Sequence, residues 1–298
     1  MTSSTPTEIR GDGLMVPLGR RVAVPERGEV FIRESGHPEA PVTALLIHGW
    51  FASAGLNWAP VFEPLGEHFR VIAPDLRGHG RGIRSRRRFS LEDCADDLAG
   101  LIDQLDCGPV VVVGYSMGGL VAQLLWHRRP DVVAGLVLCS TTRRFVPGRR
   151  ERYLFSTLLG YSASTVRASR VVTRWYRAMG TVPSLVRGSG PHRRPGSMKR
   201  WAAAEMRRHD VRQILEAGYA SCQFDSRRWI GGVDVPTAAV VTTSDRAVNT
   251  EAQLGLANEV DGATVYTYDQ DHTAFTQPAF APVLVQACRE VASRVTAR

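Results

Sequence analysis

Between Val110 and Gln123 the chain reads VVVVGYSMGGLVAQ. Four valines in a row suit a strand covered on both faces, because a strand with one wet face alternates apolar and polar side chains. Glycine then breaks the run and an apolar helix-forming segment takes over. A strand, a tight turn and a helix in so short a space point to a parallel sheet, whose strands are joined by helical crossovers. The rival is a membrane span, since no charge falls between Gly108 and Trp126. Glycines at 114, 118 and 119 divide that stretch in the middle, so strand, turn and helix is the better reading.

The same alternation recurs along the chain. RVAVPE and EVFIRE read as strands around a turn at Arg27-Gly28. VTALLIHGW and FRVIAPDLRGHGRG are strands running into loops. SLEDCADDLAGLIDQL is a helix with Ser90 as its N-cap. VAGLVLCSTT is a further strand, and after it the pattern stops. It returns at PTAAVVTTSD, TEAQLGLANEV, ATVYTYDQDH and APVLVQACREVASRV. The expected fold is α/β, with a mostly parallel central sheet, helices on both faces and an inserted helical segment. Residues 1–19 are expected to form a flexible tail. Residues 20–142 and 232–298 are expected to form the core, and 143–231 a basic helical cap.

Charge marks the insertion. Arg143 to Ile230 holds 19 Lys+Arg against 5 Asp+Glu, whereas the whole chain is +8. Nearly all of it is arginine, Lys199 being the one lysine. No nucleic-acid-binding motif accompanies the charge, so a nucleic-acid partner is not expected. The five cysteines are scattered with no CxxC pair, as for free thiols in a reducing compartment. The polar start MTSSTPTEIRGDG has no apolar run behind a basic end, so a cytoplasmic or peripherally membrane-attached protein is expected.

A serine hydroxyl is a poor nucleophile at neutral pH. It needs a base in reach, a group to orient that base, and donors for the developing oxyanion. Ser116, lifted on a strand-to-helix turn between glycines, is a candidate nucleophile. GYSMGG in this setting resembles the nucleophile elbow of the α/β-hydrolase family. LLIHGWFASAGLNW resembles that family's His-Gly oxyanion loop, and VIAPDLRGHGRG its Asp-x-Arg-Gly-His-Gly loop. VVTTSDRAVN resembles the strand end that carries the acid, and YDQDHTAF the loop that carries the histidine. The resemblance covers about Val42 to Thr142 and Gly232 to Arg298.

The resemblance implies that Ser116 is the nucleophile, His272 the general base and Asp245 the carboxylate that orients it. Backbone N–H groups of Trp50 and Met117 would form the oxyanion hole. His48, Gly49, Phe51, Tyr115, Trp175 and Trp201 are candidates for the substrate pocket. Of the eight histidines, His272 alone follows the last strand, where the order Ser, Asp, His requires it. Asp269 and Asp271 are nearer to it in sequence, but a short tether disfavours a side-on contact. No metal or cofactor is implied.

Two positions depart from the family's usual pattern. Asp271 stands where many relatives have glycine, and an extra carboxylate there would raise the His272 pKa or compete for its ring. Arg81-Gly82 stands where relatives often have a serine and a charged residue. The expected activity is that of a serine hydrolase cleaving small-molecule acyl esters, a carboxylesterase or lipase. The same fold also carries thioesterases, lactonases and carbon–carbon bond hydrolases, as well as non-catalytic ligand-binding proteins. Relatives that open epoxides or remove halides carry aspartate at the Ser116 position. The basic cap, with Arg193, Arg194 and Arg200, would meet anionic substrates or a membrane surface if it is more than a solvated face.

Overall fold

The structure, a computed structural model, describes residues 7–9, 15–146, 148–178 and 198–297. Eight strands form one sheet: β1 (Gly19–Val24), β2 (Gly28–Ser35), β3 (Thr43–Ile47), β4 (Arg70–Pro74), β5 (Val110–Tyr115), β6 (Val133–Cys139), β7 (Thr237–Thr242) and β8 (Thr264–Tyr268). Their order is β8-β7-β6-β5-β3-β4-β2-β1. β1 and β2 form an antiparallel hairpin, and β2 joins β4 antiparallel. Every pairing from β4 through β8 is parallel.

The valine run is the centre of this sheet. Val110 and Val112 face one layer, where α3 (Leu91–Leu105) and α4 (Met117–Arg128) pack with Leu98, Leu101, Leu120 and Leu125. Val111 and Val113 face the other, with Trp58 of α1 (Ala54–Trp58), Phe62 of α2 (Phe62–Gly66) and Leu284 and Val291 of α9 (Phe280–Thr296). All four valines are fully buried, which explains the missing alternation. Ser90 caps α3 as read from sequence, its Oγ accepting from the Asp93 N–H at 3.0 Å.

Between β6 and β7 lie α5 (Arg149–Ala178), α6 (Met198–Met206) and α7 (Val211–Gln223), and α8 (Thr250–Ala257) follows β7. Arg193 and Arg194 lie outside the described residues, and Arg200 is exposed. The stretch before Gly19, expected as a loose tail, is anchored at its near end. Met15–Pro17 pairs antiparallel with Thr7–Ile9, Val16 is fully buried beside α2 and β2, and the Pro17 carbonyl accepts from Arg33 Nη1. The buried Val16 side chain and the Arg33 bond hold this end against the core. Among the described residues no helix is long and apolar enough to cross a membrane.

Candidate active site

Six loops leave the C-terminal ends of the parallel strands together, the usual place for a site in an open α/β sheet. Ser116 follows β5 directly. Its backbone sits at φ 53° and ψ −118°, a strained conformation held from three directions. The Ser116 N–H donates to the Cys139 carbonyl at 2.9 Å, Gly119 N–H donates to the Ser116 carbonyl at 2.9 Å, and Thr141 Oγ1 donates to that carbonyl at 2.8 Å. Gly118 is required for close approach, since a Cβ there would lie 2.1 Å from the Ile47 carbonyl oxygen.

The structure brings Ser116, His272 and Asp245 into one line. Ser116 Oγ is 2.8 Å from His272 Nε2, and His272 Nδ1 is 2.8 Å from Asp245 Oδ2. Asp245 follows β7, and its side chain is fully buried. Oδ1 accepts the Ala247 and Val248 N–H groups, and Oδ2 accepts Thr242 Oγ1 at 2.8 Å and Gln253 Nε2 at 3.2 Å. Burial pushes the Asp245 pKa up, but the hydrogen bonds from His272, Val248 and Thr242 outweigh it, and the carboxyl is held below its usual range. The last two loops are stitched together by Asp269 Oδ1, which accepts both Thr243 Oγ1 and Ser244 Oγ at 2.9 Å.

Asp271 does not compete for the ring. Its Oδ1 is taken by Thr273, through the backbone N–H at 2.8 Å and Oγ1 at 2.6 Å. These Thr273 bonds lower its pKa. Tyr115 lies under His272 and donates its hydroxyl to the His272 carbonyl at 3.0 Å.

A cavity of about 490 Å³ opens over Ser116. Gly49, Trp50, Phe51, Tyr115 and Trp201 line it, as the sequence suggests, together with Leu56, Met206, Phe275 and others. Among the described residues, His272 and Tyr115 are the titratable side chains that line it, and no carboxylate, lysine or arginine does. Trp175 belongs to α5, but its side chain lies outside the described residues. His48 is a correction: it is absent from the lining and fully buried behind it. Its Nε2 accepts the Leu76 N–H at 3.0 Å, and Nδ1 donates to the Gly49 carbonyl at 2.8 Å. It braces the loop after β3 against the loop after β4 and does not face the cavity. On the other side of that loop, Asn57 Oδ1 accepts the Gly49 N–H at 2.9 Å. The N–H groups of Trp50 and Met117 donate in none of the described hydrogen bonds.

The insertion reaches the same loops through residues that the sequence did not single out. His209 Nδ1 accepts the Gly80 N–H at 2.9 Å, so the neutral ring carries its proton on Nε2, 3.2 Å from the Phe51 carbonyl. Trp50 Nε1 donates to the Ile214 carbonyl of α7 at 2.8 Å. Arg81, one of the departures, makes two 2.8 Å bonds to the buried Glu205 of α6. Burial pushes the Glu205 pKa up, yet Arg81 more than offsets this and holds it below the usual range. Among the described residues no group of His, Cys, Asp or Glu is arranged to hold a metal ion.

His48, His79 and His209 lie in a row, the first pair tilted and the second edge-on, with ring centroids 5.2 and 5.6 Å apart. Burial lowers all three pKa values, that of His48 to about 4 despite the favourable charge of Asp75. A histidine whose folded pKa is depressed binds its proton more readily in the unfolded chain. Stability therefore falls as pH drops from about 6.5 toward the folded values. The urea midpoint is expected to decline across that window, and His48→Asn, which cannot titrate, to flatten the decline. A wild-type midpoint constant from pH 7 to pH 5 would count against the cluster.

An open, mostly parallel sheet with a serine on a strained strand-to-helix turn, hydrogen-bonded to a histidine after the last strand, defines the alpha/beta hydrolase fold. The sequence profile of that fold matches residues 44–275, and the chain belongs to the alpha/beta hydrolase family. It is similar to Lipase LipV of Mycobacterium tuberculosis, with 35% identity over 142 residues, 46% of this chain and 53% of the lipase. It is also similar to the pimeloyl-[acyl-carrier protein] methyl ester esterase of Chromobacterium violaceum, with 40% identity over 102 residues, 34% of this chain and 38% of the esterase. The chain thus spans about half or less of these curated relatives, and 28% of an uncharacterized Mycobacterium tuberculosis protein that it also matches. The enol-lactonase of Burkholderia xenovorans LB400 shares the fold, with a TM-score of 0.70 at 22% identity over 91% of this chain and 100% of that one.

Proposed function

We propose that this protein is a serine hydrolase that cleaves carboxylic esters through an acyl-enzyme. The observation that carries the reading is the line from Ser116 Oγ through the His272 ring to Asp245, with 2.8 Å at each contact. Ser116 Oγ attacks the ester carbonyl while its proton passes to His272 Nε2. Asp245, held ionised by its four other donors, stabilises the imidazolium that forms. The N–H groups of Trp50 and Met117 receive the oxyanion. The tetrahedral intermediate collapses, the C–O bond breaks, and His272 returns the proton to the leaving alcohol. Water then repeats the sequence on the acyl-enzyme and releases the acid.

The names of the lipase and methyl ester esterase relatives agree with an ester substrate. The cavity, lined by aromatic and aliphatic side chains, suits an uncharged acyl group of modest size. Helix α6 supplies Trp201, Ala202 and Met206 to its wall, so the insertion acts as a cap that selects substrate.

A fluorophosphonate probe tests the reaction class. The expected product is a single adduct on Ser116, lost in His272→Ala. No labelling of the folded protein would make it a ligand-binding relative instead. A panel of short and long p-nitrophenyl esters, a glyceride, an acyl-CoA and a vinylogous diketone tests the bond. Turnover of the acyl-CoA ahead of every oxygen ester would make it a thioesterase.

A further inference from the structure

Helix α5 is built the wrong way round for a helix facing water. The face it turns to α7 carries small residues, with Ser156 and Ala163 buried and Gly160 beside Tyr219. Leu159 packs beside Gly218 of α7, but Tyr153, Leu154, Phe155, Leu158 and Tyr161 point outward and are 70%, 58%, 57%, 63% and 73% exposed. Leu154, Leu158 and Tyr161 follow the i, i+4, i+7 spacing of a single stripe. Isolated exposed apolar residues are ordinary, but a continuous stripe on one helix marks a contact surface.

The surroundings of the stripe are basic. The loop after β4 places Arg86, Arg87 and Arg88 in solvent, and their guanidinium groups enter none of the described ion pairs or hydrogen bonds. Arg88 and Arg167 share a cavity with Tyr161 and Tyr219, so apolar face and arginines adjoin. The segment Arg149–Ala178 contains seven arginines and one acidic residue, Glu151. A second copy of the chain would bring like charge against like charge there. An anionic surface would find both an apolar stripe to take up and arginines to neutralise it.

We propose that the outer face of α5, flanked by Arg86, Arg87 and Arg88, docks on an anionic phospholipid surface. The helix lies in the plane of the headgroups, with Leu154, Leu158 and Tyr161 below it. The arginines pair with lipid phosphates. Binding does not depend on the ester chemistry at Ser116.

Flotation of the full chain with phosphatidylcholine vesicles, with and without phosphatidylglycerol, tests this directly. Binding is expected only to the anionic vesicles. It should fade between about 0.1 and 1 M salt, where the Debye length shrinks from ~10 to ~3 Å. Substituting Leu154, Leu158 and Tyr161 together by serine should weaken partitioning by at least about tenfold, given the apolar area withdrawn. Charge reversal of Arg86, Arg87 and Arg88 should abolish the preference for anionic lipid. Circular dichroism of each variant checks folding, and a single Leu158→Ser change, which removes one exposed side chain, provides a milder version. Absence of wild-type binding, equal binding to neutral vesicles, or folded serine variants that bind like wild type would overturn the proposal. So would a wild-type dimer in solution that Leu158→Ser dissociates, which would assign the face to a second copy.

Discussion

Ser116→Ala is expected to lower ester turnover by about 10³-fold or more while leaving the fold intact. The oxygen that is lost has one described protein partner, His272 Nε2. The turn itself is held by backbone groups and by Thr141, none of which the substitution removes. Alanine also adopts the strained φ of 53° at about the same cost as serine, since both carry a Cβ. The variant should therefore unfold at nearly the wild-type temperature and should bind substrate without turning it over. Turnover within a few-fold of wild type in a clean preparation would show that another group attacks the ester.

Asp245→Asn is expected to reduce kcat by about 10²–10⁴-fold. The amide oxygen can still accept from Ala247 and Val248, so the loop should keep its shape. Its NH2 group then faces His272 Nδ1. A donor at that point requires Nδ1 to be an acceptor, which moves the ring proton to Nε2 and leaves nothing there to take the proton of Ser116. Asp271→Asn should cost less than about tenfold, because it only removes a charge near the ring. Its main partner, Thr273, can be kept by the asparagine carbonyl. Steady-state kinetics on one soluble ester compares the two variants, and the opposite ranking would reverse the assignment of the carboxylates.

The strands and most helices could be read because each follows from its own residues. The valines of β5 signal a two-sided strand, and Ser90 signals the start of α3. Ser116 and His272 were legible for a similar reason: the chemistry needs them at a strand end, and strand ends show in the sequence. The supporting shell was not. Gln253 reaches Asp245 only because α8 docks beside β7, and no spacing rule gives that contact. His48 was misplaced because a histidine after a strand looks the same whether its ring turns into the cavity or behind it. Arg81 owes its place to Glu205, a partner on a helix 124 residues away. His209 belongs to the same class, a side chain given its role by a docking that no local pattern announces. Val16 shows the reverse error, where a three-residue strand too short to display a periodicity hid one core residue.

The indole of Trp50 belongs to two parts of the molecule. Its backbone sits in the loop after β3, while its ring is pinned to the carbonyl of Ile214 and lies against Gly218 so closely that a Cβ there would come within 2.4 Å of it. Insertions at this point of an α/β sheet invite exchange, as though a recombined gene could trade one specificity for another and keep the chemistry. Here Trp50 crosses the boundary between the exchangeable part and the retained part, as His209 and the Arg81–Glu205 pair also do. A graft that replaces α7 without a glycine and a free carbonyl at those two places would alter the loop beside Ser116 as well as the shape of the cavity. Inheritance of the two parts is tied at Trp50, and a chimera drawn along the strand boundaries would have to carry that contact with it.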